Sequence, residues 1–153
     1  MWAVLDEEGK ALARSSHVVL CNAAGVRSTL PASVTSAWPL GRTRGQISRI
    51  PAIAGQLPNL ARPLSGGGYA MTLPNGDLLC GATTSRHDED PAVRREDHEV
   101  NLHRAARLLD MTLSVDLDAL GGRVGWRFHA DDRLPIVGPV PAWESSFQDQ
   151  GQT

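Results

Sequence analysis

Apolar and polar positions alternate in short runs along this chain, and the runs are separated by glycine, proline or charged turns. Trp2-Ala3-Val4-Leu5 is followed by a charged stretch around Gly9 and then by a second apolar stretch from Ala11 to Cys21, which predicts a hairpin. Residues 18–26 are the longest apolar run, interrupted by Asn22, and read as a buried strand followed by a turn. Residues 28–40 are rich in Ser, Pro and Ala. They predict a loop or a short irregular helix, because Pro31 and Pro39 oppose a long regular element. Gly45-Gln46-Ile47-Ser48-Arg49-Ile50 alternates as a strand, and residues 51–63, with Pro51, Pro58 and Pro63, read as irregular.

Two further strands are predicted around Asn75-Gly76, residues 69–73 and 78–83, since both turn residues tolerate positive φ. Asp90-Pro91 predicts a helix start, with an acidic N-cap and a proline in the first turn. The helix is expected to run to about Leu109. Val93, Val100, Leu102, Ala105, Ala106, Leu108 and Leu109 form its apolar stripe, with Arg94, Arg95, Glu96 and Arg104 largely outward. Residues 118–123 read as a turn, 124–128 as another strand, and 134–138 as a short apolar segment ending in Gly138. The polar tail 144–153 is expected to fray. The fold class is α+β: a mostly antiparallel sheet with one main helix.

Composition changes this picture little. A chain of 153 residues fits one domain, with 41% apolar and 21% charged residues, as in ordinary soluble proteins. No apolar run approaches the roughly 18 residues needed to span a bilayer, and no secretory signal is visible, so the expectation is a cytoplasmic protein with no membrane partner. The net charge of −2 writes no nucleic-acid footprint in the total, although Arg42, Arg44, Arg49 and Arg62 cluster and leave a local patch open. Cys21 and Cys80 read as two small buried hydrophobes, with a disulfide as the open alternative.

Candidate chemistry narrows by elimination. No G-x-G-x-x-G follows a strand, and Gly66-Gly67-Gly68 precedes one instead. There is no P-loop and no G-x-S-x-G elbow. Neither the cysteines nor His17, His87, His98, His103 and His129 have metal-ligand spacing, so no metal site is expected.

Four segments taken together are more specific: residues 18–25 ending in Asn22-Ala23-Ala24-Gly25; Arg44-Gly45-Gln46; Gly68-Tyr69 through Cys80-Gly81-Ala82-Thr83; and Arg123-Val124-Gly125-Trp126-Arg127 through Asp132-Arg133-Leu134-Pro135-Ile136-Val137-Gly138. Their order and spacing resemble the D-amino-acid oxidase and glycine oxidase superfamily of FAD-dependent oxidoreductases. Within it they are most similar to the flavin-dependent part of the bifunctional enzymes that complete 5-methylaminomethyl-2-thiouridine at the tRNA wobble position.

The resemblance implies a fragment carrying the substrate-side domain of such a flavoprotein plus remnants of its FAD domain. Residues 1–40 would be the FAD-domain remnant, 41–128 the substrate domain, and 129–153 a flavin-facing return loop and tail. It places Asn22, Ala23, Ala24 and Gly25 near FAD, and Arg44, Gly45 and Gln46 beside the flavin ring. Asp132, Pro135, Ile136, Val137 and Gly138 fall on a loop passing the flavin. Arg127 matches the arginine that clamps a substrate carboxylate, and Tyr69 a tyrosine that helps orient it. For Arg44 a surface salt bridge, and for Tyr69 an ordinary half-buried strand position, stay open as alternatives.

The implied reaction is oxidation of a carboxymethylaminomethyl group on tRNA to aminomethyl, with glyoxylate released. The implied partners are tRNA and a fused methyltransferase domain that uses S-adenosylmethionine. The dinucleotide-binding unit expected upstream and a glycine-rich segment expected downstream are missing, so the chain alone is expected neither to retain FAD nor to turn over. An apolar exposed patch is expected where the flavin side loses its cover. A free glycine or D-amino-acid oxidase or dehydrogenase, and a standalone ligand- or RNA-binding module, are the competing readings.

Overall fold

The computed structural model describes residues 1–54 and 57–141. The polar tail expected over 144–153 lies outside them. The chain divides into two compact units, Met1–Pro39 with Ile136–Thr153, and Leu40–Pro135.

In the first unit, β1 (Trp2–Leu5) and β2 (Ala11–Ser15) pair antiparallel. The Asp6 carboxylate accepts from the amides of Glu8 and Lys10 and so organises the turn. Residues 18–21 are not a strand: they form no regular element, and Val19 and Cys21 are exposed. A strand needs a neighbour to satisfy its backbone groups, and among the described residues none pairs with this segment. Cys21 is therefore surface-exposed rather than a buried hydrophobe. The chain then makes a single 3-10 turn at Ala23–Gly25 and two short helices, α1 (Val26–Thr29) and α2 (Ala32–Thr35), with Pro31 at the N-cap of the second.

The second unit is a six-stranded antiparallel sheet with one long helix packed on one face. Its centre is β3 (Leu40–Ile50), longer at its start than the predicted strand. β4 (Leu64–Ser65), β5 (Tyr69–Thr72) and β6 (Leu78–Gly81) follow as a meander, with β6 on residues 47–50 of β3. β7 (Ser85–Arg86) continues along the same edge at residues 43–44. The other edge is taken by β8 (Gly121–Ala130), whose ten residues pair with Leu40 through Arg49. The predicted turn over 118–123 therefore gives up its last three residues to β8, because β3 offers a full-length edge to pair with. The turn at 73–77 is as written in the sequence. Gly76 donates to the Leu73 carbonyl and takes φ 87°, while Pro74 fits the first central position of the turn.

The helix α3 (Arg95–Leu109) ends where predicted but starts five residues later than Asp90. The missing turn has been taken apart by two side chains of β3. Arg44 Nε donates to the Asp90 carbonyl, and Gln46 brackets the Arg94 peptide, its Nε2 donating to the carbonyl and its Oε1 accepting from the amide. With its amide given to Gln46, Arg94 does not bond back to the Asp90 carbonyl, and the first helical bond is the one from the His98 amide to the Arg94 carbonyl. Val93 and Val100, expected on the apolar stripe, are 47% and 41% exposed. The buried face of α3 instead carries Asp97, His98 and Asn101 beside Leu102 and Ala105.

Strand alternation sorts β3 into two faces. Arg44, Gln46, Ser48 and Ile50 are all completely buried on the α3 side. There Ile50, Ala70, Leu78, Cys80, Leu102 and Ala105 form the core, with Leu57, Leu60, Leu108 and Leu109 against it. Burying a side chain such as Leu78 or Ile50 contributes about 1.5–3 kcal/mol. Cys80 behaves as a core residue, its thiol pushed up to about 11 by burial.

Candidate active site

The opposite face of the sheet bears no helix among the described residues, and it collects the side chains with unspent chemistry. Paired residues share a face, so Tyr69 on β5, opposite Gly81, stands on the same side as Ile47 and Arg123, which pair with each other. Two residues further along β3 is Gly45, opposite Gly125, and beyond it Thr43 opposite Arg127.

Arg127 is exposed. Its guanidinium lies across Gly45, where a Cβ would come within 3.0 Å of Arg127 Nη1 and 2.9 Å of the Thr83 carbonyl oxygen. The glycine is thus the seat on which the arginine rests. The same guanidinium is close enough to Tyr69 to act on its phenol. Burial pushes that phenol above the ordinary tyrosine range, and Arg127 opposes the shift without cancelling it. Tyr69 therefore stays protonated and able to donate. A neutral hydroxyl and a cationic fork on one open face are chemically suited to a carboxylate.

Arg44 and Gln46 go the other way. Both expected beside the flavin ring, they point their side chains into the α3 side. Arg44 Nη1 donates to Asp97 at 2.6 Å, and its remaining donors go to the carbonyls of Asp90 and Ala92 and to Gln46. Of the Arg44-Gly45-Gln46 triplet, Gly45 is the residue facing the open side. The cause is the two-residue strand period, which puts Arg44 and Gln46 on the face opposite Gly45. The expected salt bridge of Arg44 exists, but it is buried rather than superficial.

A second structural cluster braces the start of α3. Arg94 pairs with Asp88 at 2.6 Å and Asp90 at 2.8 Å. The Arg94 hydrogen bond holds Asp88 below the usual carboxylate range, and for Asp90 the Ala92 amide leads and Arg94 adds. His98 Nδ1 lies 2.7 Å from Ser48 Oγ, and burial lowers its pKa, opposed by Asp97. These groups serve the fold.

The other expected site residues fall partly in the first unit. Asn22 Nδ2 donates to Thr29 Oγ1, and Thr29 and Ser28 hydroxyls donate to the Gly25 carbonyl, which locks Asn22, Ala23, Ala24 and Gly25 into a compact turn with Ala23 at φ 48°. Ile136, Val137 and Gly138 also belong to this unit. Ile136 and Val137 are 56% and 92% exposed, and a Cβ on Gly138 would meet open space. Asp132 and Pro135 belong to the sheet unit, where the Asp132 carboxylate accepts from the Leu134 amide and the Arg133 amide donates to the Ala130 carbonyl. The segment expected as one piece over 129–153 is therefore divided, because β8 runs on to Ala130 and its turn stays tied to it.

Sequence reading gave no role to Arg49 and Arg123, which flank a cavity of about 240 Å3 on the open face, lined also by Ile47, Leu79, Gly121 and Gly122. The available signal was the alternation Gly121, Arg123, Gly125, Arg127, legible once β8 is extended by three residues. Among the described residues no group of three or more His, Cys, Asp or Glu is placed to hold a metal, and no helix is long and apolar enough to cross a membrane.

Comparison with known proteins agrees with this geometry. Residues 1–151 match the family model described as FAD dependent oxidoreductase. The tRNA 5-methylaminomethyl-2-thiouridine biosynthesis bifunctional protein MnmC of Methylibium petroleiphilum is 40% identical over 95% of this chain and 23% of its own length. The protein of the same name from Aromatoleum aromaticum is 39% identical over 92% of this chain and 22% of its own length. This chain thus spans about a quarter of the length of these relatives. The crystal structure of glycine oxidase from Geobacillus kaustophilus superposes with a TM-score of 0.54 at 25% identity, covering 76% of this chain and 29% of that one. That of the Bacillus cereus enzyme has the same fold, with a TM-score of 0.53. A mostly antiparallel sheet with few helices and the match along nearly the whole length agree: the chain belongs to the family of FAD-dependent oxidoreductases.

Proposed function

We propose that this chain is the substrate-side part of an enzyme that oxidises the carboxymethylaminomethyl arm of tRNA wobble uridine to aminomethyl, releasing glyoxylate. The observation that carries the reading is the carboxylate receptor made by Arg127, seated on Gly45, with protonated Tyr69 on the same open face. The arm ends in a glycine-like carboxylate, to which a planar guanidinium can donate two parallel hydrogen bonds. The relatives' names supply the tRNA context, and their word "bifunctional" supports a fused methyltransferase domain using S-adenosylmethionine. A cytoplasmic location goes with a tRNA substrate.

The residues present fit one wall of a flavin site rather than a complete one. Exposed Ile136 and Val137 and the open backbone at Gly138 suit contact with a flat apolar ring, and the Asn22–Gly25 turn offers tightly held backbone. Bound FAD would supply the acceptor for a hydride from the carbon between the amine and the carboxylate. Arg127 fixes the carboxylate, and therefore that carbon, and Tyr69 donates to the second carboxylate oxygen. Water then cleaves the substrate imine to the aminomethyl product and glyoxylate. Orientation and electrostatics are the protein's share.

A second reading, oxidation of free glycine or a D-amino acid, is favoured by the likeness to glycine oxidase, since the receptor reads a carboxylate whatever carries it. The test is an FAD fluorescence titration of this chain and of the protein at the full length of its relatives, followed by anaerobic flavin bleaching. The tRNA reading expects FAD binding by the long form alone, bleaching by tRNA bearing the arm, and about 10- to 100-fold weaker substrate response in Arg127→Ala. Bleaching by free glycine and not by the tRNA selects the second reading. No FAD binding by either form removes both.

A further inference from the structure

On the open face, β8 presents Gly121, Arg123, Gly125 and Arg127 in alternation, and β3 adds Arg49 opposite Gly121. Arg49 lies over Gly121, where a Cβ would come within 3.1 Å of its Nε. Arg123 is on the diagonal from Arg49, a separation of about 7–8 Å between strand positions, so two long guanidinium side chains can converge on one anion. Between them is the cavity of about 240 Å3 floored by Ile47, Leu79 and Gly121. Arg123 is exposed, and its side chain has no hydrogen bond or ion pair among the described residues. Arg49 is 54% exposed and faces one competing carboxylate, Asp77, at 3.6 Å. That carboxylate is already engaged by the Ala52 amide and Asn75.

Arg123 and Arg127 are four residues apart on one strand, about 13 Å at the usual rise. The floor between them is open, since a Cβ on Gly125 would meet nothing within 4 Å. A free amino acid held at Arg127 does not extend to Arg123. A nucleotide held at Arg127 by a base-linked carboxylate does, with its base over Gly125 and its backbone phosphate beyond it.

We propose that Arg123 and Arg49 form a phosphate subsite for the RNA chain whose modified base presents its carboxylate to Arg127. The inference rests on the tRNA reading above and adds a second anchor that a free amino-acid oxidase has no use for. Two positive forks separated by a flat glycine floor read a carboxylate at one end and a phosphodiester at the other. The phosphate contact carries no base information and sets register along the strand.

The test uses the protein at the full length of its relatives, with FAD bound, and two substrates: tRNA carrying the carboxymethylaminomethyl arm and the corresponding free nucleoside. Arg123→Ala is expected to raise KM for the tRNA about tenfold, with kcat and the nucleoside KM unchanged. It is also expected to lower the salt slope of tRNA binding by about one. Arg123→Lys should restore most of the affinity, and Arg49→Gln should act in the same direction as Arg123→Ala. Both variants lie on the exposed face, and an unchanged unfolding midpoint separates lost binding from lost fold. Unchanged tRNA KM and salt slope in Arg123→Ala, with wild type active on tRNA, overturn the phosphate subsite alone. A wild type that oxidises free glycine and ignores tRNA overturns the tRNA reading and this subsite with it.

Discussion

Arg44 and Arg127 sit one register step apart on neighbouring strands, yet they face opposite sides of one sheet and have opposite roles. Arg44 is completely buried and all its described partners are fold partners: Asp97, Gln46 and the carbonyls of Asp90 and Ala92. Arg127 is exposed, rests on a glycine and keeps its donors unspent among the described residues. Residue type does not separate the two. A strand alternates, and here the side carrying α3 spends Arg44 and Gln46 on the fold, while on the open side Thr43 pairs with His129 and Arg127 lies exposed.

The largest effect should come from breaking the buried side. Arg44→Ala leaves Asp97 with its ion-pair partner gone and frees the carbonyls of 90 and 92, a loss of about 3–5 kcal/mol in chemical denaturation. Arg127→Ala, one step away, should stay within about 0.5 kcal/mol in the same experiment. Equal losses in the two variants would mean that the faces do not differ as described.

Next is Gly45→Val, which sharpens the contrast because Gly45 touches both functions. Its Cβ meets the Thr83 carbonyl oxygen at 2.9 Å and Arg127 Nη1 at 3.0 Å. We expect a loss of about 1–3 kcal/mol from overpacking together with displaced Arg127, seen as weakened substrate carboxylate binding. Retained substrate affinity would show that Arg127 does not depend on its glycine seat.

Tyr69→Phe should be milder. Because the phenol stays protonated, its removal costs one hydrogen bond, about 0.5–1.5 kcal/mol in substrate affinity, with little change in stability. A pH profile that bends in the alkaline range for wild type and not for Tyr69→Phe would support the neutral phenol as the donor.

The smallest effect is in pH. The folded state lowers the His98 pKa, so the unfolded chain takes up the proton first, and stability falls as pH drops below about 6.5. Asp77, Asp88 and Asp90 are held below their ordinary range and contribute above about pH 4, so their loss comes in a separate, more acid window. A flat stability curve between about pH 6.5 and 5 in wild type, or a slope that survives in His98→Gln, would remove His98 as the cause.

Much of the sheet was legible because its signals are local. The Asn75-Gly76 hairpin, the strand through Gly45–Ile50 and the end of the long helix each rest on residues within a few positions of one another. The start of that helix was not legible. Asp90-Pro91 is a sound local N-terminus, but Arg44 and Gln46, almost fifty positions away, claim the backbone of 90–94. The strand expected over 18–21 failed for the related reason that an apolar run becomes a strand when a neighbour pairs with it.

The sequence by itself determined the family and the antiparallel sheet, through motif order and two-residue periodicity, and the resemblance to that family marked Arg127, Tyr69 and Gly45 as candidate site residues. Only the tertiary structure decided which arginine is buried in the fold and which is exposed, and that Arg123 and Arg49 line one cavity across two strands. Those facts depend on which face α3 covers and on the register of β3 with β8, and both are set by contacts between residues 53 to 90 positions apart, which no local pattern encodes.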